Sequence, residues 1–317
     1  MPLSPAPARI APPLEGTRSW TGTRVLVTGA TGFIGAHLAR RLCSLGAEVH
    51  AVSRKPREQS DHTETWHMAD LTDTQATADL IRRTRPDIVF HLASAVTGAR
   101  DVDIVLPTLA ANLASAANLL TAVSATSGTR VVLAGSIEEP RPEKGEITPS
   151  SPYSVAKWAA TGYARLFHEL WNVPVSVLRV AMVYGPGQPD VSKLVPYVTL
   201  AFLRGQEPGL ASGNRLVDWV YVDDVVDAFL AASATEAAGG VFDIGSGEGT
   251  SIRDVVDLLG RIVGSPLQPR YGVLADRPLE STRIADLTAA AEVLRWRPAT
   301  KLQDGLRQTV AWYADRL

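Results

Sequence analysis

The sequence predicts an α/β fold, a doubly wound parallel sheet with a smaller C-terminal α/β lobe, on three observations. From residue 23 onward short β-branched runs alternate with Ala- and Leu-rich stretches of helical spacing, the pattern of strands covered by helices on both faces. The run "VLVTGATGFIG" sets three glycines between an apolar strand and a helix. After Gly185 the texture changes to shorter pieces broken by Gly and Pro.

Taken in order, the first 22 residues are rich in proline and lack an apolar signal core, so they read as a flexible arm. Residues 23–185 form the sheet domain, with strands expected at "RVLVTG", "EVHAVS", "TWHMAD", "DIVFHLA", "RVVLAGS" and "VSVLRVAMVY". Residues 186–317 are mainly the second lobe, with segments returning to the sheet. A chain of 317 residues with 45% hydrophobic composition supports one such large core. Its net charge of -2 gives no electrostatic footprint for nucleic acid or an anionic membrane. No run reaches the roughly 18 apolar residues of a spanning helix. The one cysteine, Cys43, excludes a disulfide framework and reads as a buried thiol. The expectation is a cytoplasmic protein without a metal site.

Gly29, Gly32 and Gly35 follow a strand and open the helix "AHLARRLCSLG". Glycines there let the backbone approach a pyrophosphate, toward which the helix N-terminus points free N–H groups and a positive dipole end. The second strand ends in Ser53-Arg54-Lys55, where an acidic residue usually meets a ribose 2′-hydroxyl. A serine and two cations suit a 2′-phosphate, so NADP(H) is expected over NAD(H), although a solvated charge run reads the same way. The TGxxGxxG spacing resembles the short-chain dehydrogenase/reductase superfamily, in particular the extended, Rossmann-type NAD-dependent epimerase/dehydratase branch that acts on nucleotide sugars. The resemblance implies cofactor contacts from Thr31, Phe33, Ile34 and Val180, an adenine-contacting pair at Asp70 and Leu71, and a small-residue strand end at Leu92, Ala93 and Ser94, with Ser94 also near substrate. Asn112 then supports the active-site backbone. His91 falls on the other face of its strand and reads as core or as a supporting residue.

"SPYSVAKWAA" carries Tyr153 and Lys157 four residues apart, on one helix face. Hydride transfer at a carbonyl needs a proton donor and a hydrogen-bonding partner at that oxygen, and a neighbouring cation lowers a phenol's pKa. The pair resembles the superfamily's YxxxK, and Ser136 matches its strand-tip serine. The resemblance implies that Tyr153 is the general acid, that Lys157 tunes it and holds the nicotinamide ribose, and that Ser136 orients the substrate oxygen. Sugar-nucleotide dehydratases carry Thr-Asp-Glu where this chain has Ser136-Ile137-Glu138, so dehydration lacks its proton donor. "GSIEE" is closer to the "GSSEE" run of 4-keto-6-deoxyhexose reductases, which gives Glu138 a role in binding sugar or relaying a proton; otherwise it is one acid in a surface run.

The resemblance extends to about residue 315. Arg277 of "DRP" matches an arginine that clamps the nucleotide-sugar diphosphate, a task for a planar permanent cation. Two places depart from the family's wording: Met182 stands for an asparagine of "NVYGPG", and Val217-Asp218-Trp219 for the arginine-led "RDF". Either the diphosphate is then held by Arg277, Arg215 and Lys193, or the substrate is not an ordinary nucleotide sugar; Met182 and Trp219 either face substrate or pack. The leading expectation is an NADPH-dependent reductase of a nucleotide-linked, dTDP-type 4-keto-6-deoxyhexose. A C4 epimerase with resident NAD is the second reading, and a non-catalytic NADP-binding sensor or scaffold the third. A homodimer through the helices after Leu109 and Tyr153 is expected by analogy.

Overall fold

The structure, a computed structural model, describes residues 19–57, 64–142, 145 and 148–317. Seven parallel strands form the main sheet in the order β3 (Glu64–Met68), β2 (Glu48–Ser53), β1 (Arg24–Thr28), β4 (Ile88–His91), β5 (Arg130–Ser136), β6 (Val175–Val180) and β9 (Val241–Ile244). Alternation along β1 feeds two cores. Val25 and Val27 face α1 (Phe33–Ser44) and α7 (Val222–Ala231), while Leu26 faces α2 (Thr74–Thr84), α4 (Ser115–Ser124) and α5 (Pro152–Trp171).

The sixth expected strand is in fact two. The run breaks at Ala181, whose N–H donates to Ile244 O, and β7 (Met182–Tyr184) leaves for a second sheet with β8 (Leu216–Tyr221) and β10 (Gly249–Ser251). The lobe's own core forms where this small sheet meets α6 (Leu194–Leu203), α8 (Ile252–Val263) and α10 (Leu302–Ala314). β9 and α7 return to the main sheet, as does α9 (Thr288–Val293), which packs on β9.

Three expectations need correction. Residues 1–18 lie outside the described residues, but the arm does not extend to residue 22: Trp20 is buried against Phe90, with ring centroids 6.3 Å apart. Cys43 is half-buried, at the edge of the core rather than within it. Among the described residues one helical stretch, Val102–Ser124, does have the length and apolar composition to cross a membrane. Its scattered Thr, Asn and Ser residues break the apolar run but not the helix, which packs on α2 and α5 through its α4, α3 (Val105–Leu109) and π-helical (Ala110–Ala114) parts.

Candidate active site

The glycine turn is built for close approach. Gly29 has φ +69°, and a Cβ there would stand 2.7 Å from the backbone of Leu92 and Ala93. A Cβ on Gly35 would overlap Gly29 O, so the first turn of α1 lies directly on the end of β1. Gly32 donates to Gly29 O (2.9 Å) and opens α1 with no side chain capping it. These close backbone approaches, which leave no room for a Cβ at Gly29 or Gly35, set the free N–H groups at the start of α1 against the end of β1, an arrangement that fits a pyrophosphate. Thr31 is exposed at its rim, Phe33 stacks edge-on against His37, and Ile34 packs against the core.

At the end of β2, Ser53 Oγ accepts from Lys55 N (3.2 Å), while Arg54 and Lys55 are exposed. Asp70 accepts from Thr72 N and Oγ1, and these bonds, with a smaller contribution from Arg54, hold its carboxyl below the usual range. Leu71 is buried and its carbonyl accepts from Thr77 and Asn118, which fixes the strand end beside it. Thr28 Oγ1 accepts from Ala93 N (3.1 Å) and lies 2.9 Å from His91 Nδ1. His91 is wholly buried; that burial, with Lys157 nearby, pushes it down to about 3, so it stays neutral as a supporting residue.

Asn112 sits in the π-helical turn and is buried. Its Oδ1 accepts from Ser94 Oγ (2.7 Å) and Ala95 N (2.8 Å), and its Nδ2 donates to Ala95 O (3.1 Å). The asparagine thus fixes the chain at Ser94, whose hydroxyl lies near the Tyr153 phenol and slightly lowers its pKa.

Helix α5 starts with a reciprocal cap, Ser151 with Ser154, and Pro152 at its first position. Those three residues set the phase that places Tyr153 and Lys157 toward the sheet. The Ser136 hydroxyl also lies near this phenol and opposes the rise in its pKa, so Ser94, Ser136 and Tyr153 gather their hydroxyls at the ends of β4 and β5 and the start of α5. Val180 pairs in register with Ser136 beneath it.

Here the structure corrects one expectation. Lys157 Nζ donates to Ala134 O (2.8 Å) and lies 5.9 Å from the Tyr153 ring centroid, rather than on the phenol oxygen. Burial pushes Tyr153 up to about 12, against the smaller opposing effect of the Ser136 hydroxyl, and pushes Lys157 down to about 8. The phenol is therefore a firm proton holder.

Glu139 escaped sequence reasoning. It is buried, accepting from Ser136 N (2.8 Å) and Thr161 Oγ1 (2.8 Å), and so holds the strand tip that carries Ser136. Burial raises its carboxyl despite those bonds. The only sequence signal was the doublet of glutamates. Glu138 is part-buried rather than in a surface run, with Arg215 Nη1 3.7 Å away.

The structure brings Arg215 and Arg277 together through Glu280, at 3.2 and 3.6 Å. Lys193 instead faces Asp190 (3.8 Å) at the start of α6. Trp219 is buried in the lobe and its indole N–H donates to Thr250 O (3.2 Å), which makes it a packing residue. Met182, opposite Trp219 in register, is 38% exposed and is not core. Asp218, the residue before Trp219 on β8, is buried and accepts from Ser246 N, Gly247 N and Ala285 N, a structural anchor that the sequence pattern did not disclose.

The chain is similar over nearly its whole length to characterised enzymes. It is 31% identical to a UDP-glucose 4-epimerase of Mycolicibacterium smegmatis, covering 92% of this chain and 99% of the relative, and 27% identical to a dTDP-L-rhamnose 4-epimerase of Burkholderia thailandensis over 93% and 96%. The solved UDP-glucose 4-epimerase of Thermotoga maritima, with UDP-glucose, superposes at a TM-score of 0.84 with 30% identity, over 92% of this chain and 99% of that one. That of Thermus thermophilus, in complex with NAD, gives 0.82 at 27% identity over 93% and 100%. Residues 25–245 match the profile of the NAD dependent epimerase/dehydratase family, and the chain belongs to that family.

Proposed function

We propose that this protein is a nucleotide-sugar C4 epimerase that retains NAD through its cycle. The observation that carries the reading is the hydroxyl cluster of Ser94, Ser136 and Tyr153, set beside a dinucleotide cradle and beside a buried, apolar Ile137 that cannot supply the acid of a dehydration. The full-length likeness to UDP-glucose 4-epimerases supports it.

Gly29, Gly32, Gly35 and the start of α1 hold the pyrophosphate, Asp70 and Leu71 meet the adenine, and Lys157 with Tyr153 meets the nicotinamide ribose. Arg215 and Arg277 hold the diphosphate of the substrate. Hydride acceptance and return, with a positive charge near the phenol, are the chemistry that the nicotinamide supplies when bound. Tyr153, in its phenolate form, takes the proton of the C4 hydroxyl as the carbonyl forms and returns it to the same oxygen once the keto sugar has turned its other face to the cofactor. Ser136 hydrogen-bonds that oxygen in both states, and Ser94, held by Asn112, keeps the phenol aimed.

A second reading, NADPH-dependent reduction of a nucleotide-linked 4-keto-6-deoxyhexose, is favoured by one observation. The end of β2 offers Ser53 and the exposed cations Arg54 and Lys55 in place of a carboxylate. The test is to identify the nucleotide released on denaturing the purified protein, and then to assay UDP-glucose with no added cofactor. Co-purified NAD and formation of UDP-galactose support the epimerase. A protein free of NAD that oxidises NADPH with dTDP-4-keto-6-deoxyglucose overturns it in favour of the reductase.

A homodimer belongs to the same proposal. Val102, Leu106, Trp158, Leu166 and Leu170 are apolar and exposed along the neighbouring helices α3 and α5 and their approach. Sedimentation equilibrium that returns a monomer refutes it.

A further inference from the structure

The catalytic tip of β5 runs into a ladder of alternating charge. Glu138 Oε1 lies 3.7 Å from Arg215 Nη1, Arg215 Nε lies 3.2 Å from Glu280 Oε2, and Glu280 Oε1 lies 3.6 Å from Arg277 Nη1. The members come from the turn after Ser136, the approach to β8 and the loop before residue 283. Arg277 packs against Gly98, whose carbonyl accepts from Arg100 Nη1 (2.7 Å). Glu138 is tied to the chemistry at its own backbone, since its N–H donates to Ser136 Oγ (3.2 Å).

One guanidinium, Arg215, thus serves two carboxylates. The side chains of Glu138, Glu280 and Arg215 are between 20% and 29% exposed, so the contacts lie in a partly desolvated cleft where they are not fully screened. Burial pushes the Glu138 carboxyl above its ordinary range; Arg215 is the foremost group that opposes this, followed by Arg283, with Glu280 adding to the rise and Arg100 opposing it. An incoming diphosphate brings negative charge and a better geometric partner for a guanidinium fork than a carboxylate 3.7 Å away. When Arg215 turns to phosphate, Glu138 loses its main stabilising cation and gains an anionic neighbour.

We propose that Glu138 is a ligand-gated proton carrier: a diphosphate drawn onto Arg215 and Arg277 displaces them from the two glutamates, and Glu138 then takes up one proton and presents a neutral carboxyl to the sugar beside Ser136. The proton comes from solvent, one O–H bond forms, and the charge of the complex rises by one. The inference rests on the diphosphate reading of Arg215 and Arg277 given above.

The test is calorimetry of UDP-glucose binding to the whole protein in buffers of different ionisation enthalpy, at about pH 6 and about pH 8. The diphosphate diester of this probe does not titrate in that range. The expected result is uptake approaching about one proton per ligand, with affinity falling as pH rises. Glu138→Gln should bind without uptake, whereas Glu280→Gln should keep the uptake and bind more tightly, because it frees both arginines. Binding with no uptake by the native protein, or unchanged uptake in Glu138→Gln, overturns the gate and leaves the epimerase reading standing. Failure of both UDP-glucose and dTDP-glucose to bind removes the diphosphate reading and the gate together.

Discussion

Tyr153 and Lys157 show how much a single residue's surroundings can change what its type suggests. Spacing made the pair legible, because four residues along a helix is local information. The electrostatics were not legible, because they depend on Ala134 O and on the burial imposed by the rest of the fold. Replacing Tyr153 by Phe should lower kcat by about 10²–10⁴-fold while leaving cofactor affinity nearly unchanged, as measured by turnover beside a binding titration. Lys157 gives a stability prediction of unusual sign. Its folded value, about 8, lies below its ordinary 10.5, so the unfolded chain holds a proton that the folded chain has shed between those limits. Stability therefore rises with pH across that window, and below about pH 8 the folded state carries the whole penalty, on the order of 3 kcal/mol. Lys157→Met should melt at or above the native protein near neutrality while losing activity, with the difference narrowing above about pH 8. A variant that melts well below the native protein at neutral pH would contradict the burial cost assigned to the ammonium.

At the scale of elements, the sequence disclosed what repeats locally and hid what does not. The glycine turn and the alternation of strands and helices were readable, since each is written in a few consecutive residues, whereas the Ser151 and Ser154 cap before Tyr153 emerged only with the helix start. The break at Ala181 was not readable, because "VSVLRVAMVY" contains no Gly or Pro to mark it and only the pull of a second sheet divides it. The π-helical turn at Ala110–Ala114 was equally hidden: helical periodicity carries no mark of one wider turn, yet that turn holds Asn112 against Ser94 and Ala95. Asn112→Leu should leave Ala95 N and O without partners in a partly buried place. The expected cost is about 2–4 kcal/mol by denaturant titration, from desolvation of those groups. Because Ser94 is freed as well, kcat should fall further than KM changes. Loss of stability with unaltered kcat would separate the turn from the catalytic cluster.

For the molecule as a whole, the decisive ties join segments far apart in sequence. Asp243 on β9 accepts from Arg141 Nη2 (2.6 Å) and Arg179 Nε (2.8 Å), and also from Asp286 N (3.1 Å). Arg141 follows the turn that carries Ser136, Glu138 and Glu139, and Arg179 lies on β6, so one buried carboxylate fastens the returning strand to the sheet beside the candidate site. The residues are separated by 102 and 64 positions, which is why no reading of local pattern could pair them. Asp243→Asn keeps the shape but withdraws the charge that two buried or part-buried guanidinium groups face. Breaking such a group costs about 3–5 kcal/mol, because the arginines stay behind uncompensated. The melting temperature should fall by roughly 10 °C. Asp79→Asn, at an exposed i,i+3 pair with Arg82, should change stability by less than about 1 kcal/mol. Activity of Asp243→Asn, assayed well below its melting point, should also drop, since the turn after Ser136 loses the tie at Arg141. A variant that melts early but turns over normally would mean that Asp243 holds the sheet together without positioning the site.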